Sequence, residues 1–261
     1  MNFYPAMRTN YFAGIISLCL AVPSLAFGAD PAAAELAGKI RAKENGSTFI
    51  RVRMELGSAE KQTLQLQIKS RVSGGTSDIV YQILFPKERK GESVLLHRSG
   101  GKFTGTLFTP PNNFKAIEMS QSLFGSDLSY EDIIDSPFAW TQQAIAGNED
   151  INGIACQILE SKPGDHSSSY SKVKTWVDPR RFVPMRIEKY DASGKVVRRI
   201  NTTRVMLDGS DSIPANLNVQ GLRGSVTDID GSRLKRGVNY SDAEFTRDGL
   251  KQLTAPPGSP Q

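Results

Sequence analysis

Ile50-Arg51-Val52-Arg53-Met54-Glu55-Leu56 decides the fold: every second side chain is apolar and every intervening one is charged. Successive side chains of a strand point to opposite faces, so this run makes a strand with one dry and one wet face. Thr63-Leu64-Gln65-Leu66-Gln67-Ile68-Lys69 repeats the scheme, and Met185-Arg186-Ile187-Glu188 does so in brief. Strands of a parallel sheet, covered on both faces, would be continuously apolar; these belong to an antiparallel sheet.

Working outward, further strands are expected over 78–85, 92–97, 102–108, 114–119, 154–160, 171–177 and 196–206. Between them lie turn signals such as Ser73-Gly74-Gly75, Ser99-Gly100-Gly101, Asp178-Pro179 and Asp191-Ala192-Ser193-Gly194. About ten strands joined by close turns form a meander, and twist accumulated over so many strands makes the sheet curl. Helices are scarce. One is expected over 31–43, and a short one over 126–135, capped by Asp127 or Ser129 and ended by Pro137. Ser241-Asp242-Ala243-Glu244 reads as a capping box opening a third.

At the N-terminus, Arg8 precedes an uncharged apolar stretch from Tyr11 to Val22, and Ala26-Phe27-Gly28 supplies small residues for cleavage before Ala29. This is the pattern of a secretory signal peptide over 1–28 and is short for a bilayer span. Cys19 follows Ser17-Leu18 without the order of a lipoprotein signal. A single domain is expected over 29–253, with a disordered tail over 254–261. Cleavage would leave Cys156, in an apolar strand-like run, as the only thiol; it reads as buried and inert.

The chain has 261 residues, 39% of them hydrophobic, with two His and two Cys. That supports a folded core and excludes chemistry that needs three histidines. Lys and Arg are interspersed with Asp and Glu, so the net charge of +5 marks a solvated surface or a bias toward anionic lipid. Nucleic acid is not an expected partner for an exported chain. There is no Gly-x-Ser-x-Gly elbow, and Asn148-x-Asp150-x-Asn152-Gly153 lacks the twelfth-position Glu of a calcium loop and reads as a hairpin turn. His97 reads as a satisfied strand residue. No catalytic residue, metal or cofactor is expected.

A curled sheet with one large dry face and few helices to cover it leaves two alternatives. Either side chains fill its interior, or an apolar cavity remains for an acyl chain or another hydrophobic ligand. Strand parity nominates Ile50, Val52, Met54, Leu64, Leu66, Ile68, Ile79, Tyr81, Ile83, Met185 and Ile187 as its wall, with Trp140 and Trp176 as anchors.

Gln121-Ser122-Leu123-Phe124-Gly125-Ser126-Asp127-Leu128-Ser129-Tyr130-Glu131-Asp132-Ile133 resembles a segment of the outer-membrane lipoprotein-sorting-protein-like family, relatives of the periplasmic lipoprotein carrier LolA. Lys174-Thr175-Trp176-Val177-Asp178-Pro179, Val183-Pro184-Met185-Arg186-Ile187-Glu188 and Gly194-Lys195 are similar to that superfamily's hairpin. Glu244-Phe245-Thr246 with Leu250 is similar to its closing element. The resemblance implies an unclosed antiparallel β-barrel with a helical lid, here Phe124, Tyr130, Ile133 and Ile134, over a hydrophobic cavity. It implies a monomeric, non-enzymatic periplasmic protein that binds or carries lipid or lipoprotein acyl chains. Its partners would be an inner-membrane exporter and, transiently, the membrane itself. The alternative is a periplasmic sensor that reports lipid or mislocalised lipoprotein to a membrane signalling partner. No counterpart of the carrier's lid arginine aligns, and this lid carries Asp127, Glu131, Asp132 and Asp135.

Overall fold

The computed structural model describes residues 30–57, 61–165, 167–221 and 224–253; the expected signal segment and tail lie outside them. Among the described residues, thirteen strands form one antiparallel sheet. The first six are β1 (Gly46–Leu56), β2 (Gln62–Ser73), β3 (Thr76–Phe85), β4 (Ser93–Ser99), β5 (Lys102–Thr109) and β6 (Asn113–Ala116). The rest are β7 (Gln142–Ile151), β8 (Ile154–Lys162), β9 (Lys172–Asp178), β10 (Val183–Tyr190), β11 (Val196–Asp208), β12 (Asp211–Gln220) and β13 (Val226–Arg236). Their order is β6-β5-β4-β3-β2-β1-β13-β12-β11-β10-β9-β8-β7. Two meanders thus meet where β1 pairs with β13, and the barrel stays open between β6 and β7. The open edges are blunted: β6 is four residues long, and at β7 the Ile145 N–H donates to Asp30 Oδ2 at 3.1 Å.

Curling is visible in what shares a cavity. Ile79 on β3 and Ile187 on β10 border one space of about 300 Å³. Six strand steps separate β3 from β10 in the sheet order, roughly 29 Å if the sheet were flat. The face bearing these residues is therefore the inside of a deep trough.

Three α-helices among the described residues accompany the sheet: α1 (Pro31–Ala42), α2 (Tyr130–Ile134) and α3 (Arg247–Leu250). The first is capped by Asp30 and buries Ala33, Leu36, Ala37 and Ile40 against Leu159 and Val177. The third departs from expectation. Ser241 makes no capping hydrogen bond; a 3-10 turn at Asp242–Phe245 precedes a short helix capped by Thr246, whose Oγ1 accepts from the Gly249 N–H at 3.1 Å. This C-terminal segment packs Phe245 and Leu250 with Val80 and Phe108. Those residues have the opposite parity to Ile79 and Tyr81, so the segment covers the outer face of the first meander.

Sequence patterning did not anticipate β7, β12 or β13. In β12, Ile213, Ala215, Leu217 and Val219 do alternate, but the intervening Pro214, Asn216 and Asn218 look like turn residues. The sheet absorbs each of them. Pro214 sits where the pairing with β11 shifts register, a place where a missing N–H is tolerated. Asn216 Nδ2 donates to Asp230 Oδ1 at 2.5 Å and Asn218 Nδ2 to Asp228 Oδ1 at 2.7 Å, a polar ladder onto β13. In β7, a register shift between Ile145 and Gly147 breaks the alternation. The Asn148–Gly153 segment closes the β7–β8 hairpin, with positive φ at Asn152 and Gly153.

Candidate functional site

The chain between β6 and β7 carries α2 and lies along the inner face. Gly105 permits its close approach, because a Cβ there would fall 2.4 Å from Ile117 Cδ1. Ser129 caps α2. Its Oγ accepts from the Asp132 N–H at 3.2 Å, while Asp132 Oδ2 accepts from the Ser129 N–H at 2.6 Å, a reciprocal capping box. Asp127, the other expected cap, instead accepts from the Thr227 and Ser225 hydroxyls and ties the approach of α2 to β13.

The acidic residues of α2 are turned into the protein rather than to its tip. The Asp132 carboxylate is fully buried, 2.8 Å from Lys189 Nζ, ion-paired with Arg198, and accepts from the Tyr170 hydroxyl at 2.8 Å. Glu131 accepts from Ser168 Oγ at 2.6 Å and the Ser169 N–H at 2.9 Å, and Asp135 from Trp140 Nε1 at 3.0 Å. Burial alone would raise the pKa of Asp132. Lys189, Arg198 and the Ser129 N–H outweigh it and hold the group below the ordinary 3.8. Burial, joined by the Asp132 charge, pushes the Tyr170 phenol well above its ordinary value, so it stays neutral and donates.

On one flank of α2, side chains fill the space. Met54, Leu64, Leu66, Ile83, Val94 and Leu96 pack with Leu123, Phe124, Leu128, Tyr130 and Ile134 as one core, with Val52, Ile79, Tyr81 and Ile133 against it. Beyond this core two apolar cavities remain. One, of about 240 Å³, is bordered by Ile50, Val52, Met54, Ile68 and Tyr81 from the expected wall, with Met206 and Ile229 opposite. The second, of about 330 Å³, is bordered by Ile40, Phe138, Phe182, Pro184, Ile187 and Ile200. Leu128, Ile133, Ile213, Pro214 and Leu217 line both, so the two are neighbours divided by a few side chains. The third space, of about 300 Å³, adds charged groups to Ile79, Ile133, Ile134 and Ile187.

Some residues expected in the wall or the lid lie elsewhere. Leu64, Leu66, Ile83, Phe124 and Tyr130 are core and border none of these cavities. Met185 and Trp176 sit in a separate cluster with Ile151, Cys156 and Val183. The pairing with β9 shifts between Pro184 and Arg186, so Pro184 and Ile187 face the cavity while Met185 does not. Trp176, stacked under Arg186 at 5.5 Å, donates from Nε1 to Glu149 at 2.7 Å. Trp140 packs with Tyr170 and Val173 beside Ile187. His97 Nδ1 lies 2.6 Å from Asp78 Oδ1. The free Cys156 is buried, and burial raises its pKa. The wall from β11 and β12 was missed with β12 itself, although the alternation from Ile213 to Val219 carries its signal.

A family model described as an uncharacterized protein matches residues 75–252. A DUF1329 family protein from Desulfovibrio piger superposes with a TM-score of 0.78 at 23% identity, over 84% of this chain and 98% of that one. A domain assigned as an outer membrane lipoprotein-sorting protein from Vibrio parahaemolyticus gives 0.77 at 21%, over 85% and 99%. A LolA superfamily protein from Nitrosomonas europaea gives 0.68 at 22%, over 84% and 97%. No curated protein matches the sequence. These structures share the open antiparallel sheet, and the family model spans more than half of the chain. The chain belongs to the family of that model, and it shares its fold with the DUF1329, lipoprotein-sorting and LolA superfamily structures.

Proposed function

We propose that the protein is a periplasmic, non-enzymatic, monomeric carrier of lipid or lipoprotein acyl chains, supplied or relieved of cargo by an inner-membrane exporter. One observation carries the reading: two neighbouring apolar cavities lie between the curled sheet and α2, each within the size range of, or just below, small-molecule pockets. An acyl chain entering them exchanges water for apolar wall, worth about 0.8 kcal/mol per buried methylene. The structural relatives in Vibrio and Nitrosomonas, assigned to lipoprotein sorting and to the LolA superfamily, support the same reading. No described helix is long and apolar enough to cross a membrane.

Cargo in this reading enters past the β11–β12 hairpin. Met206 and Ser212 on that hairpin border the two cavities, and between them Leu207 is 72% exposed, a foothold for transient contact with a bilayer. The helix α2, ion-paired at Asp132, acts as a fixed partition more than as a swinging lid.

Mass spectrometry of organic extracts from the purified protein tests the reading. Wild type should release lipid in near-stoichiometric amount, and Ile133→Trp, which pushes a large ring into the shared wall, should release little. Clean wild-type extracts, together with no uptake of an added fluorescent fatty acid, would remove the assignment.

A further inference from the structure

The third cavity differs from its neighbours in chemistry. It shares Glu44, Asp132, Ile133, Phe138, Ile187 and Ile200 with the second, so the two are contiguous. Its unshared lining sets polar groups, Arg41, Arg98, Ser70, Ser77 and Lys189, beside Val72, Ile79 and Ile134. Two of its three carboxylates are already engaged. Asp132 is held by both Lys189 and Arg198, leaving that cluster one positive charge in excess, and Asp135 accepts from Trp140. The third, Glu44, lies near the Ser136 hydroxyl and faces Arg41 and Arg98.

Arg98 is the cation of this lining with an unsatisfied donor. It projects from β4 with the parity opposite to His97, lies 5.8 Å from the Phe103 ring, and borders the cavity. Its Nε is buried and has no hydrogen-bond partner among the described residues. A buried guanidinium nitrogen without an acceptor is destabilising, since a charged donor is the more expensive kind to leave unpaired. The planar fork of Arg is suited to carboxylate and phosphate oxygens.

We infer that this compartment is a head-group site for an anionic amphiphile, its carboxylate or phosphate received by Arg98 with Arg41 and its chain lying in the apolar cavities beyond Ile133. The inference rests on the carrier reading above and narrows its cargo. Neutral and purely apolar chains would leave Arg98 as it stands; an anion would satisfy it.

The test compares three probes of one chain length on the delipidated full protein: palmitate, palmitoyl lysophosphatidate and palmityl alcohol. Wild type should bind at least one of the two anions tenfold or more tightly than the alcohol, and the tighter anion names the head group. Arg98→Gln should bring the anions down to the alcohol while the alcohol's own affinity holds. Arg98→Lys should keep part of the preference. Should Arg98→Gln fail to fold, Arg41→Gln at its exposed position should still lower the anion preference. Equal binding of all three probes by wild type overturns the head-group site and leaves the carrier reading standing. Binding of none of them overturns both.

Discussion

The two flanks of α2 are built from the same kinds of residue and end differently. Toward β1–β4 the inner face is set with Leu64, Leu66, Ile83, Val94 and Leu96, each at most 1% exposed, and α2 lies directly on them through Tyr130 and Ile134. Toward β10–β12 the facing side chains are Ile187, Ile200, Thr202, Pro214 and Leu217, and α2 is held through Asp132 to Lys189 and Arg198. Long polar side chains act there as struts; the second cavity lies beside them, and the first reaches from Ile213 and Leu217 across to Val52 and Tyr81. An empty space in a folded protein needs something that stops the neighbours collapsing into it. Here an ion-paired strut does so on one flank while close packing on the other fixes where the helix sits.

The largest expected effect comes from removing the strut. Asp132→Ala leaves Lys189 and Arg198 buried without their anion and should cost about 3–5 kcal/mol, read as a fall in the denaturation midpoint. Acid should find the same weak point. The folded pKa of Asp132 is depressed, so its contribution is full above the unfolded value near 3.8 and is lost as pH falls through the folded value, below 3.8. The wild type should therefore lose stability below about pH 4, and an Asp132→Asn variant, with no carboxylate there to titrate, should lose less over that range. An unchanged acid limb in Asp132→Asn would show that the strut does not carry the load.

Next comes the filled flank. Leu64→Ala should cost about 2–5 kcal/mol, because a fully buried side chain leaves a hole among well-packed neighbours. Its effect on lipid release should be only that of lost stability. A variant that melts normally yet releases no lipid would place Leu64 on the cargo wall after all.

Much of this contrast was out of reach of sequence. Alternation at Ile50–Leu56 and at Thr63–Lys69 exposed the sheet, and Asp127 or Ser129 followed by Glu131 and Asp132 exposed α2 to within two residues of its start, because both signals are local. The parity of Met185 failed at a register shift, which no local pattern reveals. Asp132, Lys189 and Arg198 each look like ordinary surface charges in their own segments; only the curl of the sheet makes them a buried cluster. Whether the interior is filled or hollow depends on the spacing between α2 and β12, and Pro214, Asn216 and Asn218 disguised that strand.

The smallest effect is the sharpest measure of the difference between the flanks. Ile213→Ala deletes about as much hydrocarbon as Leu64→Ala, but Ile213 is half-buried and borders both apolar cavities. Its removal enlarges a space that already exists, so no new hole is paid for, and only part of the transfer free energy is lost. The expected cost is about 1 kcal/mol, well below that at Leu64. Ligand readouts should reverse the ranking: the Ile213 variant should alter the chain-length distribution of extracted lipid, whereas Leu64→Ala should not. Equal stability costs at the two positions would mean that the β12 flank closes up in solution, and the cavities with it.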